Sequence, residues 1–215
     1  MDERLLALLP TAARVVIIPT AAVRGSPHMT ADNGVRHFAA LGAMTTAAMV
    51  ITPADADDAV LVAPLAVADM VYLAGGDPGY LLDVLRGRDG QGSLLWREML
   101  AVYTRGGMLA GSSAGAMVLS AKMRTWNVGE WTAGQSLAPF AVLVHHNGPD
   151  DTGAETLHAA LTPPMPIVGI AEATACISVD ARHQAWEVAG VWRVTIYPPA
   201  LTPPQRYDHG STFSL

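Results

Sequence analysis

Short apolar runs recur along the first half of the chain, and a segment with helical spacing follows nearly every one. Val15-Val16-Ile17-Ile18 reads as a buried strand closed by Pro19. Met49-Val50-Ile51, Met70-Val71-Tyr72-Leu73 and Met108-Leu109-Ala110 read as three more. Between them, residues 31–41 place Val35, Phe38 and Ala39 on one helical face, and residues 94–103 do the same with Leu95, Met99 and Val102. Asp77-Pro78 has the form of an N-cap followed by proline at the first helical position, so a helix is expected from there through Leu85. A further helix is expected over 113–122. The runs are continuous rather than alternating, which is the pattern of strands buried on both faces. They predict an α/β fold with a mostly parallel central sheet and helices on both faces.

The second half reads differently. A strand is expected over 141–144, a helix over 152–161 and a strand over 167–170. Apolar runs then follow at short intervals over 175–179, 185–188 and 191–197. The last two are joined through Ala189-Gly190, which predicts an antiparallel hairpin at the sheet edge near the C-terminus. From Pro198 the tail has four prolines in seven residues and is expected to be irregular. There is no internal repeat and no linker, so residues 1–215 are expected to form a single domain.

Composition narrows the partners. The chain is 51% hydrophobic and 15% charged, enough for a sizeable core, and its formal net charge is −6. With no basic stretch longer than two residues, nucleic acid and anionic membrane surfaces are not expected partners. No apolar run approaches the length of a membrane span, and the acidic start Met1-Asp2-Glu3-Arg4 lacks the form of a secretion signal; a cytoplasmic protein is expected. The single cysteine, Cys176, excludes an internal disulfide and reads as core filler.

The chemistry enters at Gly111-Ser112-Ser113-Ala114-Gly115-Ala116, directly after an apolar run. A serine among small residues at a strand end marks a nucleophile elbow, where the backbone turns too sharply for large neighbours. Such a turn exposes the Ser113 hydroxyl at the start of the next helix, with the Ala114 N–H as one oxyanion donor. The loop Gly75-Gly76-Asp77 is a source of the second. A serine needs a base. Of the seven histidines, His145 and His146 close the strand expected over 141–144, and so belong to the C-terminal strand edge where the elbow lies. His37 and His158 read as packing or surface residues. Glu172 reaches the same edge after the strand over 167–170 and suits the orienting acid, with Glu130 and Asp150 as rivals in loops. Trp126 and Trp131 are expected either to rim the site or to pack their loop down. Gly75-Gly76-Asp77-Pro78-Gly79 lacks dinucleotide-binding spacing, and no His, Cys and Asp cluster has metal-ligand spacing, so neither a cofactor nor a metal is called for.

Leu73-Ala74-Gly75-Gly76-Asp77, the elbow, a strand ending in histidine, and Gly169-Ile170-Ala171-Glu172-Ala173-Thr174-Ala175 together resemble the dipeptidase E and cyanophycinase family of serine peptidases. The motifs stand in the family's order across about residues 14–197. The resemblance implies a class I glutamine amidotransferase-like fold in which serine replaces the usual cysteine. It implies Ser113 as nucleophile, Gly76 and Ala114 as oxyanion donors, and His146 over His145 as base when counted from Pro139. Glu172 matches the acid of the cyanophycinase-like branch, and Glu130 is the nearest match to the dipeptidase branch. Three departures stand out. Asn147 occupies the position of a usual aromatic, residues 153–157 lack the arginine that recognises an N-terminal aspartate, and residues 147–158 contain no arginine or lysine at all.

The expected activity is therefore hydrolysis of a peptide or related amide bond in a small substrate through an acyl-enzyme on Ser113, without a cofactor; a homo-oligomer is compatible with it. Two alternatives stay open. An α/β-hydrolase-type esterase also uses Gly-x-Ser-x-Gly and would need His183 or His209 as base. A catalytically silent binding module would keep the fold alone.

Overall fold

A computed structural model of the chain describes residues 1–124, 130–148, 161–180, 182–199 and 202–215. The chain divides into two compact units, Asp2–Ala116 and Met117–Leu215.

The first unit opens with α1 (Asp2–Leu6), β1 (Arg14–Ile18) and a 3₁₀ turn (Thr20–Arg24). It continues through α2 (Pro27–Ala40), β2 (Met44–Ala47), the single-turn α3 (Ala59–Val62), β3 (Met70–Leu73), α4 (Pro78–Arg86), α5 (Leu94–Thr104) and β4 (Met108–Gly111). Its sheet has the order β2-β1-β3-β4, and every pair is parallel. Val15, Ile17, Ile18, Met70, Val71 and Leu73 are fully buried, as the continuous apolar runs require. Helix α2 lies over this sheet, its Phe38 ring meeting Tyr72 of β3 edge-on at 4.9 Å.

Local signals account for most helix ends. Asp77 Oδ1 accepts the Tyr80 N–H at 3.0 Å and caps α4. Helix α2 begins four residues before the predicted 31, because Ser26 caps it and Pro27 takes its first position. Ser93, 2% exposed, accepts the Trp96 N–H at 3.3 Å and donates to Leu85 O at 3.2 Å. Ser93→Ala is expected to cost about 1–2 kcal/mol. The melting temperature should then fall by about 2–6 °C, which calorimetry would read.

The edge strand corrects the sequence reading. The strand expected over 49–51 lies at Met44–Ala47, which is exposed or half-buried along its length. An edge strand paired on one side does not need a continuous apolar run. Val50 is fully buried, yet its carbonyl accepts the Thr20 hydroxyl and its N–H bonds to Ala48 O, outside any ladder.

Helix α6 (Ala114–Leu119) follows β4, and it stops three residues short of the predicted end. The chain continues directly as β5 (Ser120–Arg124). Buried Ser120 places its hydroxyl 2.7 Å from both Met117 O and Lys122 O, which offers the backbone an alternative to helical bonding. The second unit then contains β6 (Trp131–Ala133), β7 (Ala138–Leu143), β8 (Ile167–Ile170), β9 (Thr174–Ser178), β10 (Ala185–Gly190), β11 (Arg193–Tyr197), β12 (Gln205–Asp208) and β13 (Thr212–Ser214). The helix expected over 152–161 lies, apart from Leu161, outside the described residues.

This unit has a six-stranded sheet, β12-β11-β8-β7-β5-β6, and a three-stranded antiparallel sheet, β13-β10-β9. The inner pairs β5–β7 and β7–β8 are parallel, while the outer strands run antiparallel. The C-terminal antiparallel structure is present, but its pairing differs from the prediction. Strand β10 pairs with β9 and β13, whereas β11 pairs with β8 and β12. The chain changes sheets at Gly190, whose φ is +139° and whose hypothetical Cβ would sit 2.2 Å from Ala173 O. Phe140, Val142, Val168, Trp186, Val188, Val194, Ile196 and Phe213 form the core of this unit, with Cys176 packed against it. Burial pushes the Cys176 thiol pKa up. The tail is more regular than its prolines suggest, since β12 and β13 both lie in it. Among the described residues, no helix is long and apolar enough to cross a membrane.

Candidate active site

In the first unit the strand ends are in step. Ile18, Leu73 and Gly111 are register partners across β1, β3 and β4. The 3₁₀ turn, the Gly75-Gly76-Asp77 loop and the Ser113 elbow therefore start from one sheet edge, the usual location of ligands in parallel α/β sheets. Ser113 has φ +50°, a left-handed conformation that is uncommon for a residue with a side chain and characteristic of a nucleophile elbow. The elbow is held on both sides. Ser112 N–H bonds to Leu73 O at 3.0 Å, and Gly115 N–H bonds to Ser112 O at 2.8 Å. Burial raises the Tyr72 phenol pKa, and the Ser112 side chain hydrogen-bonds this tyrosine.

The small residues around Ser113 have specific steric reasons. A Cβ on Gly115 would lie 2.2 Å from Leu73 O, and one on Gly111 would lie 2.5 Å from the Gly115 carbonyl carbon. Both obstacles are backbone, so neither can turn aside. Gly115→Ala is expected to cost at least about 3 kcal/mol, and the midpoint of urea unfolding checks this. Gly75 approaches Ser113 so closely that a Cβ there would stand 3.2 Å from the serine Cβ. Gly76 has φ +145°, and its own Cβ would strike Ala21 O at 2.1 Å. Glycine is needed at Gly76 to bring this loop against the 3₁₀ turn, and its small size at Gly75 eases the close approach to the serine.

The second unit carries the histidines and the acid. His145 and His146 follow β7, and the backbone turns between them because His145 takes φ +57°. The two rings end in different surroundings. His145 is 54% exposed, with Nδ1 2.6 Å from Glu172 Oε1. His146 is buried, its Nε2 2.8 Å from the Tyr197 hydroxyl, and its ring lies where a Cβ on Gly169 would be 2.3 Å from Cδ2. The glycine of the Gly169-Ile170-Ala171-Glu172 motif thus makes room for His146. The carboxylate was expected to orient His146; the structure gives it to His145 instead. With the Nδ1 proton shared with a carboxylate, the basic lone pair of His145 is on Nε2, the tautomer a general base needs.

Glu172 is itself held in place. Its N–H donates to Asn147 Oδ1 at 2.8 Å, and its carbonyl accepts the Thr174 hydroxyl at 3.1 Å. Asn147 therefore braces the loop that carries the acid. From sequence Asn147 stands out only as a departure from the family pattern, without a role, and Tyr197 is not singled out. The motif's order was a pointer for the first, and the second had no local signal.

Glu130 is exposed, immediately before β6. Trp131 packs against the cluster of Ala141, Leu161, Ile167 and Tyr197, which matches its packing reading. Asp150, His158 and Trp126 lie outside the described residues. His183 sits in the β9–β10 turn with Nδ1 2.6 Å from Ser178 Oγ, and His209 accepts the Gly190 N–H at 3.2 Å. His37 is at the surface, 2.9 Å from Asp2. Among the described residues, no group of three His, Cys, Asp or Glu could hold a metal ion.

A family model described as peptidase family S51 matches residues 1–184. The chain belongs to peptidase family S51. It is a serine peptidase, in keeping with the resemblance to dipeptidase E and cyanophycinase carried by its motifs. Among solved structures, this S51 peptidase is similar to a peptidase from an acI-B1 Actinobacterium, with 28% identity and a TM-score of 0.76 over 99% of this chain and 90% of that one. A protein of Listeria monocytogenes EGD-e assigned to peptidase E shares the fold, with 18% identity and a TM-score of 0.54 over 99% and 93% of the two chains. No curated protein matches the chain significantly.

Proposed function

We propose that this peptidase hydrolyses the peptide bond of a small, unblocked peptide through an acyl-enzyme on Ser113. His145 is the base and Glu172 its orienting acid. The observation that carries this assignment is the 2.6 Å contact between His145 Nδ1 and Glu172 Oε1. It gives the imidazole the tautomer and the counter-charge that the reaction demands. The buried His146, tied to Tyr197, becomes a positioning residue that anchors the turn.

In this reading Ser113 Oγ attacks the scissile carbonyl carbon while His145 Nε2 takes the hydroxyl proton. Negative charge gathers on the carbonyl oxygen, where the N–H groups of Gly76 and Ala114 are the proposed donors. The tetrahedral adduct then collapses, the C–N bond breaks and His145 returns its proton to the leaving amine. Water, deprotonated by the same imidazole, attacks the acyl ester and regenerates Ser113. Glu172 stays ionised throughout and stabilises the transient imidazolium. Every proton moved returns to its source or leaves on a product, so no cofactor is needed. The lack of an internal disulfide suits a reducing, cytoplasmic setting.

A screen of unblocked dipeptides, read by mass spectrometry for release of both residues, tests the reading. Turnover of carboxylic esters with no cleavage of any peptide would overturn it in favour of an esterase.

A further inference from the structure

Arg24 closes the 3₁₀ turn after β1, beside the Gly75-Gly76-Asp77 loop. Its side chain is 81% exposed, yet its Nε lies 2.5 Å from Oδ2 of Asp77, a carboxylate only 5% exposed. Asp77 is the partner of Arg24 among the described residues. The aspartate is itself fixed: its Oδ1 caps α4 through the Tyr80 N–H, and its own N–H bonds to Ala21 O at 2.7 Å. The flexible arginine is thereby pinned at one nitrogen by an immobile group. Guanidinium is planar and carries five N–H donors. With Nε–H given to Asp77, the edge formed by the two terminal nitrogens remains, and that edge matches a carboxylate with two parallel bonds.

The location turns this fork into a recognition element. Asp77 directly follows Gly76, so their Cα atoms are about 3.8 Å apart. Gly76 touches the same turn that ends in Arg24, with Ala21 O at 2.1 Å from its hypothetical Cβ, and Gly75 touches Ser113. In a dipeptide the terminal carboxyl carbon is about 3–4 Å from the scissile carbonyl carbon. A carbonyl seated on Gly76 therefore holds its carboxylate within one residue's span of this loop. The chain also carries a net charge of −6, and residues 147–158 contain no arginine or lysine. An anionic substrate needs a local cation from another part of the chain.

We propose that Arg24, oriented through Nε by the buried Asp77, binds a carboxylate of the substrate next to the scissile bond. The proposal rests on the Ser113 peptidase reading for the position of that bond. The carboxylate is either the C-terminal one of a dipeptide or an acidic side chain.

Calorimetric titration of Ser113→Ala protein tests it without turnover, using alanylalanine, alanylalanine amide and aspartylalanine amide as probes. A carboxylate source read by Arg24 should bind about 30- to 100-fold tighter than alanylalanine amide. That advantage should vanish when Arg24→Met is added. Arg24→Lys, which keeps charge without the fork, should retain part of it. Advantage for alanylalanine identifies the terminal carboxylate, and advantage for aspartylalanine amide identifies the side chain. Equal binding of all three probes, no binding of any, or an advantage that survives Arg24→Met overturns the proposal. Melting curves of each variant verify that it is folded, and the milder Arg24→Lys variant carries the test if Arg24→Met does not fold. Failure of the peptidase reading would show separately, as wild-type protein that binds these probes but cleaves no dipeptide.

Discussion

Ser113→Ala is expected to lower kcat/KM for a cleaved dipeptide by about 10,000-fold or more. The variant loses the only atom that can form the acyl-enzyme, so both chemical steps disappear together. What remains is binding plus the oxyanion donors, which typically leave a small rate above the uncatalysed one. Alanine is nearly isosteric, and it must adopt the same φ of +50° as the serine, so the strain at the elbow is unchanged. Folding stability should therefore stay within about 0.5 kcal/mol of wild type. Steady-state kinetics beside a melting curve separates the two quantities. Retention of more than a tenth of wild-type turnover would place the nucleophile elsewhere.

The adjacent histidines should behave in opposite ways. His145→Ala removes the proposed base, and kcat should fall by about 1,000- to 100,000-fold. The side chain is 54% exposed, so little packing is lost and the melting temperature should barely move. His146→Ala instead removes a buried ring and its bond to Tyr197. The expected loss is about 2–3 kcal/mol of stability, while the protein that remains folded keeps most of its turnover. The reverse outcome, a stable but inactive His146→Ala, would restore the assignment that the family resemblance alone favours.

That pair marks where sequence reading stops. The elbow was legible because its chemistry restricts the residue types: backbone atoms at 2.2 and 2.5 Å leave no room for a side chain at Gly115 or Gly111. Gly76 is legible for the same reason, with Ala21 O 2.1 Å from its hypothetical Cβ. Choosing between His145 and His146 depends on one backbone dihedral and on Tyr197, 51 residues further along the chain, and neither leaves a local trace. The fold divides similarly. Strands β1, β3 and β4 are buried on both faces and show as continuous apolar runs. The edge strand β2 has no such run and was displaced to a nearby apolar stretch that packs without pairing. The 120–122 segment reads as helical because its period is ambiguous over so few residues, and pairing of the 120–124 strand with β6 and β7 decides its state. The change of sheet at Gly190 was invisible as well, since β10 and β11 have the composition of an ordinary hairpin.

The register shared by Ile18, Leu73 and Gly111 has a consequence for how such an enzyme diversifies. Chemistry and recognition leave the sheet on separate loops: the elbow follows β4, while Arg24 follows β1. The exposed end of the turn after β1, at Arg24 and Gly25, can be recharged without moving the strand that supports Ser113. A one-residue slip within β4, by contrast, would reverse its side-chain alternation and turn the elbow away. Evolution, or a protein engineer, can thus rewrite what the enzyme accepts one loop at a time, while the apparatus for breaking the bond is inherited whole.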